Sequence, residues 1–200
     1  MSAVDLADLA ADARPFRLPD GAPVRVRPIR PQDGDMLQAY LRRLSPASRR
    51  NRFLGALNEL SPRELERLVR MDCGGACALL AFAGAGQATA MIGEAMAVAA
   101  PGNSRCEIAI SVLDGWQGRG VGALLLEAIE CRARRLGARY LFGDVLRTNT
   151  AMKRLARKHG FSVRSPFTDA RLIEIVKDLS LAPRNAPCSG RYASAPPVAA

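Results

Sequence analysis

Apolar and polar positions along this chain follow two periods, and their order predicts a string of short strands and helices. Residues 24–30 (VRVRPIR) alternate apolar with basic side chains, the period of a half-buried strand. Pro28 assigns that strand to a sheet edge, since proline has no amide to give to a ladder. Pro31, Gln32 and Asp33 then open a helix to about Leu44, with Met36, Leu37, Tyr40, Leu41 and Leu44 on its apolar stripe. Ser45–Pro46 and Ser61–Pro62 are N-cap and first-turn pairs, predicting two more short helices that end near Leu57 and Met71. Strands at 77–83, 90–98 and up to Val112 are separated by short turns, which predicts an antiparallel meander.

The most informative stretch is 106–122, CEIAISVLDGWQGRGVG. Its first half alternates, with Ile108, Ile110 and Val112 on one side and Glu107, Ala109 and Ser111 on the other. Its second half is a glycine-rich turn that opens a helix with Leu125, Ile129, Ala133 and Leu136 at helical spacing. Strand, glycine turn and helix N-terminus in that order make an anion site. The first helical amides lack internal partners, the helix dipole adds positive potential, and residues without a β-carbon admit a phosphate close to the backbone. A pyrophosphate fits such a site. The run contains neither GxxxxGK[ST] nor GxGxxG, which disfavours a nucleotide P-loop and a dinucleotide fold. It reads Q-x-x-G-x-G.

After it come a strand at 139–146 and a helix capped by Asn149 and running through Lys158, with Met152, Leu155, Ala156 and His159 on one stripe and Gly160 as the stop. Residues 161–164 and 171–177 form a closing pair of strands. Residues 1–22 are expected to be a weakly ordered lead-in with a short helix over 4–11, residues 23–180 one domain, and the Pro-, Ala- and Ser-rich residues 181–200 a disordered tail.

Composition narrows the picture little. The 200 residues are 48% hydrophobic, without an apolar run of membrane-spanning length, and the N-terminus carries acids where a secretory signal is basic. A cytoplasmic protein is the expectation. Five scattered cysteines read as reduced, mostly structural thiols, and no zinc or other metal set is formed. The net charge of +10 fits nucleic acid, an acidic partner or a polyphosphate cofactor. Dispersal of arginines over amphipathic helices and the 5% aromatic content disfavour nucleic acid.

At Gln117–Gly122 the sequence resembles the pyrophosphate-binding motif of the GNAT superfamily of N-acetyltransferases, consensus [RQ]-x-x-G-x-[GA]. NTAMKRLARKHGF at 149–161 is similar to the family's second hallmark, and the element order across 24–178 resembles its fold. RPIRPQDGDML and LSPASRRNRF are similar to the opening of bacterial protein lysine acetyltransferase domains. The resemblance implies an α/β (α+β) fold with a mixed, mostly antiparallel six- to seven-stranded sheet flanked by helices. It implies acetyl-CoA as cofactor and transfer of the acetyl group directly to a primary amine, with a protein lysine as leading acceptor. A small amine or polyamine acceptor, and a non-catalytic coenzyme A sensor, are the alternatives; monomer and homodimer are both open.

Such a transfer needs a neutral amine, a stabilised oxyanion and a protonated leaving thiolate, and a carboxylate is the natural base. Glu107, ten residues before Gln117, matches the family's catalytic glutamate; Glu94 is the second choice, and a surface acid paired with Arg105 is the plain alternative. The resemblance gives the pantetheine arm to the backbone at Ile110 and Val112, and the pyrophosphate to Gln117, Gly118, Arg119, Gly120, Val121 and Gly122. Asn149 and Met152 would meet the cofactor arm, although capping explains Asn149 and core packing Met152. Leu155 and Ala156 stand where many members carry a tyrosine general acid, so tyrosine protonation of the thiolate is not expected. His159, in the last turn of its helix, and Cys106 read as structural.

Overall fold

The computed structural model describes residues 16–71, 75–84, 89–99, 104–165 and 169–181. The expected helix over 4–11 and the tail beyond 181 lie outside these residues. The chain runs β1 (Phe16–Arg17), β2 (Pro23–Pro28), α1 (Gly34–Arg43), α2 (Pro46–Phe53), α3 (Pro62–Val69), β3 (Ala76–Ala83), β4 (Ala90–Ala99), β5 (Arg105–Val112), α4 (Val121–Arg135), β6 (Tyr140–Leu146), α5 (Thr150–Lys158), β7 (Ser162–Arg164) and β8 (Leu172–Asp178). All strands share one sheet, in the order β1-β2-β3-β4-β5-β6-β8-β7. Every neighbouring pair is antiparallel except β5 and β6.

Among the described residues the sheet therefore has eight strands, against an expectation of six to seven. The added strand is β1, whose two residues pair with Val24 and Pro23 and are too few to show a period. Pro28 pairs with Leu79 of β3 beyond the reach of β1, so its missing amide faces the sheet's free side.

Each face of the sheet carries its own core. On one, Cys106 and Ile108 of β5 pack with Val121, Leu125 and Ile129 of α4, Ala156 of α5 and the apolar side of β6 and β8. Leu125, Ile129 and Ala133 are fully buried as their spacing predicts, whereas Leu136, just past the helix, is exposed. The other face holds Leu37, Tyr40, Leu41, Leu44, Leu80 and Phe82 beneath α1 and α3. Here Arg27 grips Asp33 with two bonds of 2.6 and 2.7 Å while the Arg30 amide donates a third of 2.7 Å. Much of the RPIRPQD stretch thus ties β2 to the start of α1, a structural task.

One expectation changes. Cys131, buried on α4, is disulfide-bonded and is no reduced thiol. At His159 burial, opposed only in part by Glu127, lowers the pKa, and the buried Nε2 has no partner among the described residues.

Candidate active site

The site begins where the sheet comes apart. β5 and β6 pair over only three positions, Arg105 with Tyr140, Cys106 with Leu141 and Glu107 with Phe142, whereas β4–β5 and β6–β8 each pair over seven. At the fork a β-carbon on Gly143 would lie 2.8 Å from the Ile108 carbonyl oxygen, so the last close approach of the strands requires glycine. Ser104 accepts from the Arg139 and Tyr140 amides on the β6 side, and Leu113 donates to Ile92 on the β4 side. By alternation, the peptide groups of Ile108, Ile110 and Val112 point into the opening. The sequence motif carried no information on this fork; register between strands separated by a whole helix is set by tertiary packing.

The glycine turn closes the wide end. Gly118 (φ +74°) and Gly120 (φ +103°) both take left-handed backbone, which side chains rarely adopt. The turn delivers the chain into α4, whose N-cap Gly120 makes no side-chain cap, leaving its first amides for an anion. Gln117 does something narrower than its motif position suggests. Its amide donates to the Val112 carbonyl (3.0 Å) and to Ser48 Oγ of α2 (3.1 Å), so it stitches the turn to the strand and to the helix above. Arg119 bonds Asp20 at 2.7 Å and lies 4.0 Å over the Trp116 ring. The Val121 side chain is buried in the core, leaving only its amide for a ligand. Gly122 leaves room for α5: a β-carbon there would sit 3.3 Å from Leu155. Asn149 Oδ1 accepts from the Met152 amide (3.0 Å), a cap, and Met152 packs against the core.

Glu107 is exposed, at the fork, and makes no hydrogen bond or ion pair among the described residues. Asp144 and Glu174, on the same face by register, bring further acid to this side, with Arg105 bonded to Glu174 at 2.6 Å. Burial and then the Glu174 carboxylate raise the pKa of Asp144. Cys106 points the other way; burial, with Glu107 adding to it, pushes its thiol up to about 11, which removes it as a nucleophile at neutral pH.

Glu94 is a different kind of acid. It is 6% exposed and paired with Arg52 of α2 through bonds of 2.5 and 3.3 Å, and it accepts from Ser111 Oγ at 2.7 Å. Because the single Ser111 proton goes to Glu94, the Tyr40 hydroxyl donates to Ser111 at 2.9 Å. Arg52 also bonds Met96 Sδ. Burial, then the Glu94 charge, raises the Tyr40 hydroxyl well above the ordinary phenol range, so it stays protonated. Glu94 is thus buried and bonded to Arg52 and Ser111, whereas Glu107, of the two sequence candidates, has an exposed carboxylate with no bond among the described residues.

Sequence reasoning missed Arg52, Ser111, Tyr40 and Asp114. Asp114 accepts from the Ser45 amide (3.0 Å), Ser45 Oγ (2.7 Å) and Ser48 Oγ (2.8 Å), joining the N-terminus of α2 to the turn before Gln117. Only Ser45 gave a signal, as an N-cap.

The profile of the acetyltransferase (GNAT) family matches residues 46–161, more than half of the chain and the whole stretch from α2 to the end of α5. This chain belongs to the GNAT acetyltransferase family. Among its GNAT relatives, acetyltransferase PA5475 of Pseudomonas aeruginosa is 33% identical over 157 residues, 78% of this chain and 84% of that one. The crystal structure of the GNAT domain of S. lividans PAT superposes with a TM-score of 0.74 at 26% identity, covering 82% of this chain and 96% of its own. The fold is shared also with the PaiA N-acetyltransferase of Thermoplasma acidophilum in its complex with coenzyme A (TM-score 0.55, 18% identity, 78% and 98% covered). The GNAT chain is accordingly an acetyl-CoA-dependent N-acetyltransferase, with the α/β fold its sequence predicted. Among the described residues no helix is long and apolar enough to cross a membrane.

Proposed function

We propose that this chain acetylates a primary amine, foremost a protein lysine, with Glu107 as general base. The observation that carries the reading is the position of Glu107: an exposed, uncommitted carboxylate at the point where β5 and β6 diverge. Acetyl-CoA, when bound, supplies the activated thioester carbonyl. The residues present fit it, for the fork offers unladdered peptide groups and the turn offers the uncapped start of α4.

The amides of Val121 and Gly122, with the backbone of Gly118 to Gly120, hold the phosphates; their charge meets the positive end of the α4 dipole. Ile110 and the Val112 amide hold the pantetheine arm along β5, since the Val112 carbonyl is already taken by Gln117. Asn149 and Met152 flank the arm from α5, and Arg119 acts through its backbone. Glu107 takes a proton from the acceptor ammonium, directly or through one water, and so frees the lone pair that attacks. A backbone donor from β5 at the fork stabilises the negative charge that develops on the carbonyl oxygen; such a donor is typically worth about 3 kcal/mol. α5 carries no tyrosine, with Leu155 packed on Gly122 and Ala156 buried, so the departing sulfur is protonated by solvent or by the proton Glu107 has taken.

The acid side formed by Glu107, Asp144 and Glu174 suits a cationic acceptor, and its exposure suits a protein chain as much as a small amine. The test is steady-state kinetics of Glu107→Gln on a panel of lysine peptides, proteins and polyamines. A loss of about 10²- to 10⁴-fold in kcat with unchanged acetyl-CoA affinity is expected. Unchanged turnover across pH rejects Glu107 as base; thermal stabilisation by acetyl-CoA with no acyl transfer in wild type replaces the enzyme by a sensor.

A further inference from the structure

α2 has no fully buried residue, although Phe53 packs against the second core and the Arg52 side chain is largely enclosed, and it is clamped at both ends. Its N-terminal end is held to the phosphate turn: Ser45 and Ser48 donate to Asp114, and Gln117 donates back to Ser48. Its C-terminal end is held to the middle of the sheet by Arg52 on Glu94 and Met96, with Ser111 and Tyr40 completing the chain of donors. The register shows where the second clamp points. Glu94 pairs with Ser111, Met96 with Ala109 and Val98 with Glu107, all on one face, so Arg52 reaches along β4 toward the carboxylate at the fork. Glu107 contributes to the electrostatic field at Arg52. Just beyond Arg52 the helix ends at Leu54 in left-handed backbone (φ +58°), an arrangement a leucine holds only when its surroundings impose it.

From these contacts we infer that α2 is a positioning strap with two separable ends: the Ser45–Ser48–Asp114 clamp sets the turn that receives the phosphates, and the Arg52–Glu94–Ser111–Tyr40 clamp sets the acceptor side beside Glu107. Ser48 and Arg52 are positioning residues, acting through Gln117 and through the placement of α2 over β5. The inference rests on the reading of Glu107 and of the turn given above and assigns each clamp to one half of the reaction.

The experiment compares Ser48→Ala with the paired substitution Arg52→Met/Glu94→Gln, which removes both buried charges together and leaves none stranded. Acetyl-CoA affinity is measured by calorimetry, and kcat with poly-L-lysine and spermidine as acceptor probes. Hydrogen exchange along α2 is followed in the full chain. For Ser48→Ala the expected result is a several-fold weaker acetyl-CoA Kd, kcat retained at saturation and faster exchange confined to the first turn of α2. For the paired substitution it is an unchanged Kd, a fall of at least tenfold in kcat and faster exchange confined to its last turn, while Arg52→Lys recovers part of the loss. If both variants shift the same parameter in step with Tm, or if exchange quickens along all of α2 in each, the two ends are not separable and the inference falls. Should neither probe be turned over, the Kd and exchange readouts decide it in the same way. Failure of the underlying reading is seen separately, as wild type that does not bind acetyl-CoA or Glu107→Gln that stays fully active.

Discussion

The two helices that lie over β5 on opposite faces are held by opposite means. α4 buries eight residues, among them Leu124, Leu125, Leu126 and Ile129, and each large side chain so removed from water contributes roughly 1.5–3 kcal/mol. α2, PASRRNRF, has no fully buried residue; beside the partly buried Phe53 it is held by side-chain hydrogen bonds and one enclosed ion pair. Apolar area tolerates small displacements because it has no direction, whereas a set of hydrogen bonds fixes a helix in one place and weakens locally where a partner is removed. The helix that follows the glycine turn is thus anchored by bulk, and the helix on the opposite face by geometry.

Single substitutions separate the two modes. Arg52→Met alone strands the Glu94 carboxylate inside the protein and is expected to cost about 4 kcal/mol in denaturant unfolding, most of which returns when Glu94→Gln is added. A small loss in the single variant, or no recovery in the double, would show that the pair is more hydrated than its burial indicates. Leu125→Ala removes a fully buried side chain from α4 and is expected to cost about 3 kcal/mol, with acetyl-CoA affinity of the folded protein kept. Ser45→Ala deletes an N-cap and a bond to Asp114, for about 1 kcal/mol and a lower Tm.

The smallest effect is a pH dependence at His159. Its folded pKa lies below the ordinary 6.5, so as pH falls through 6.5 the unfolded chain takes up a proton that the folded chain declines, and stability drops. Unfolding free energies measured between pH 8 and 5 are expected to decline more steeply in wild type than in His159→Gln; equal slopes refute the assignment.

What could be read from the sequence was local. The caps at Ser45, Ser61 and Asn149, the alternation of β5, the glycine turn and the stripe of α4 each lie within a few residues and obey one periodicity or one capping rule. What escaped was set between distant segments. Arg52 and Glu94 are 42 residues apart, Ser45 and Asp114 are 69 apart, and neither member of either pair announces its partner. Gln117 shows the boundary between the two: its place in the motif was plain, but its attachment to Ser48 and Val112 depends on how α2 is laid across the sheet. Nothing in the sequence around Glu94 shows the arginine that pairs with it.

The seam between β5 and β6 has a thermodynamic corollary. Two antiparallel halves of the sheet meet across three rungs, and the ladder is left incomplete just where a guest carrying amide groups of its own can lie between them. Such a guest works as a clasp for the entire sheet, so occupancy and global cohesion rise together: a hundredfold excess over Kd adds about 2.7 kcal/mol to the unfolding free energy. On the proposed reading, in which the cofactor arm takes that place, the loaded enzyme is more cohesive than the chain alone.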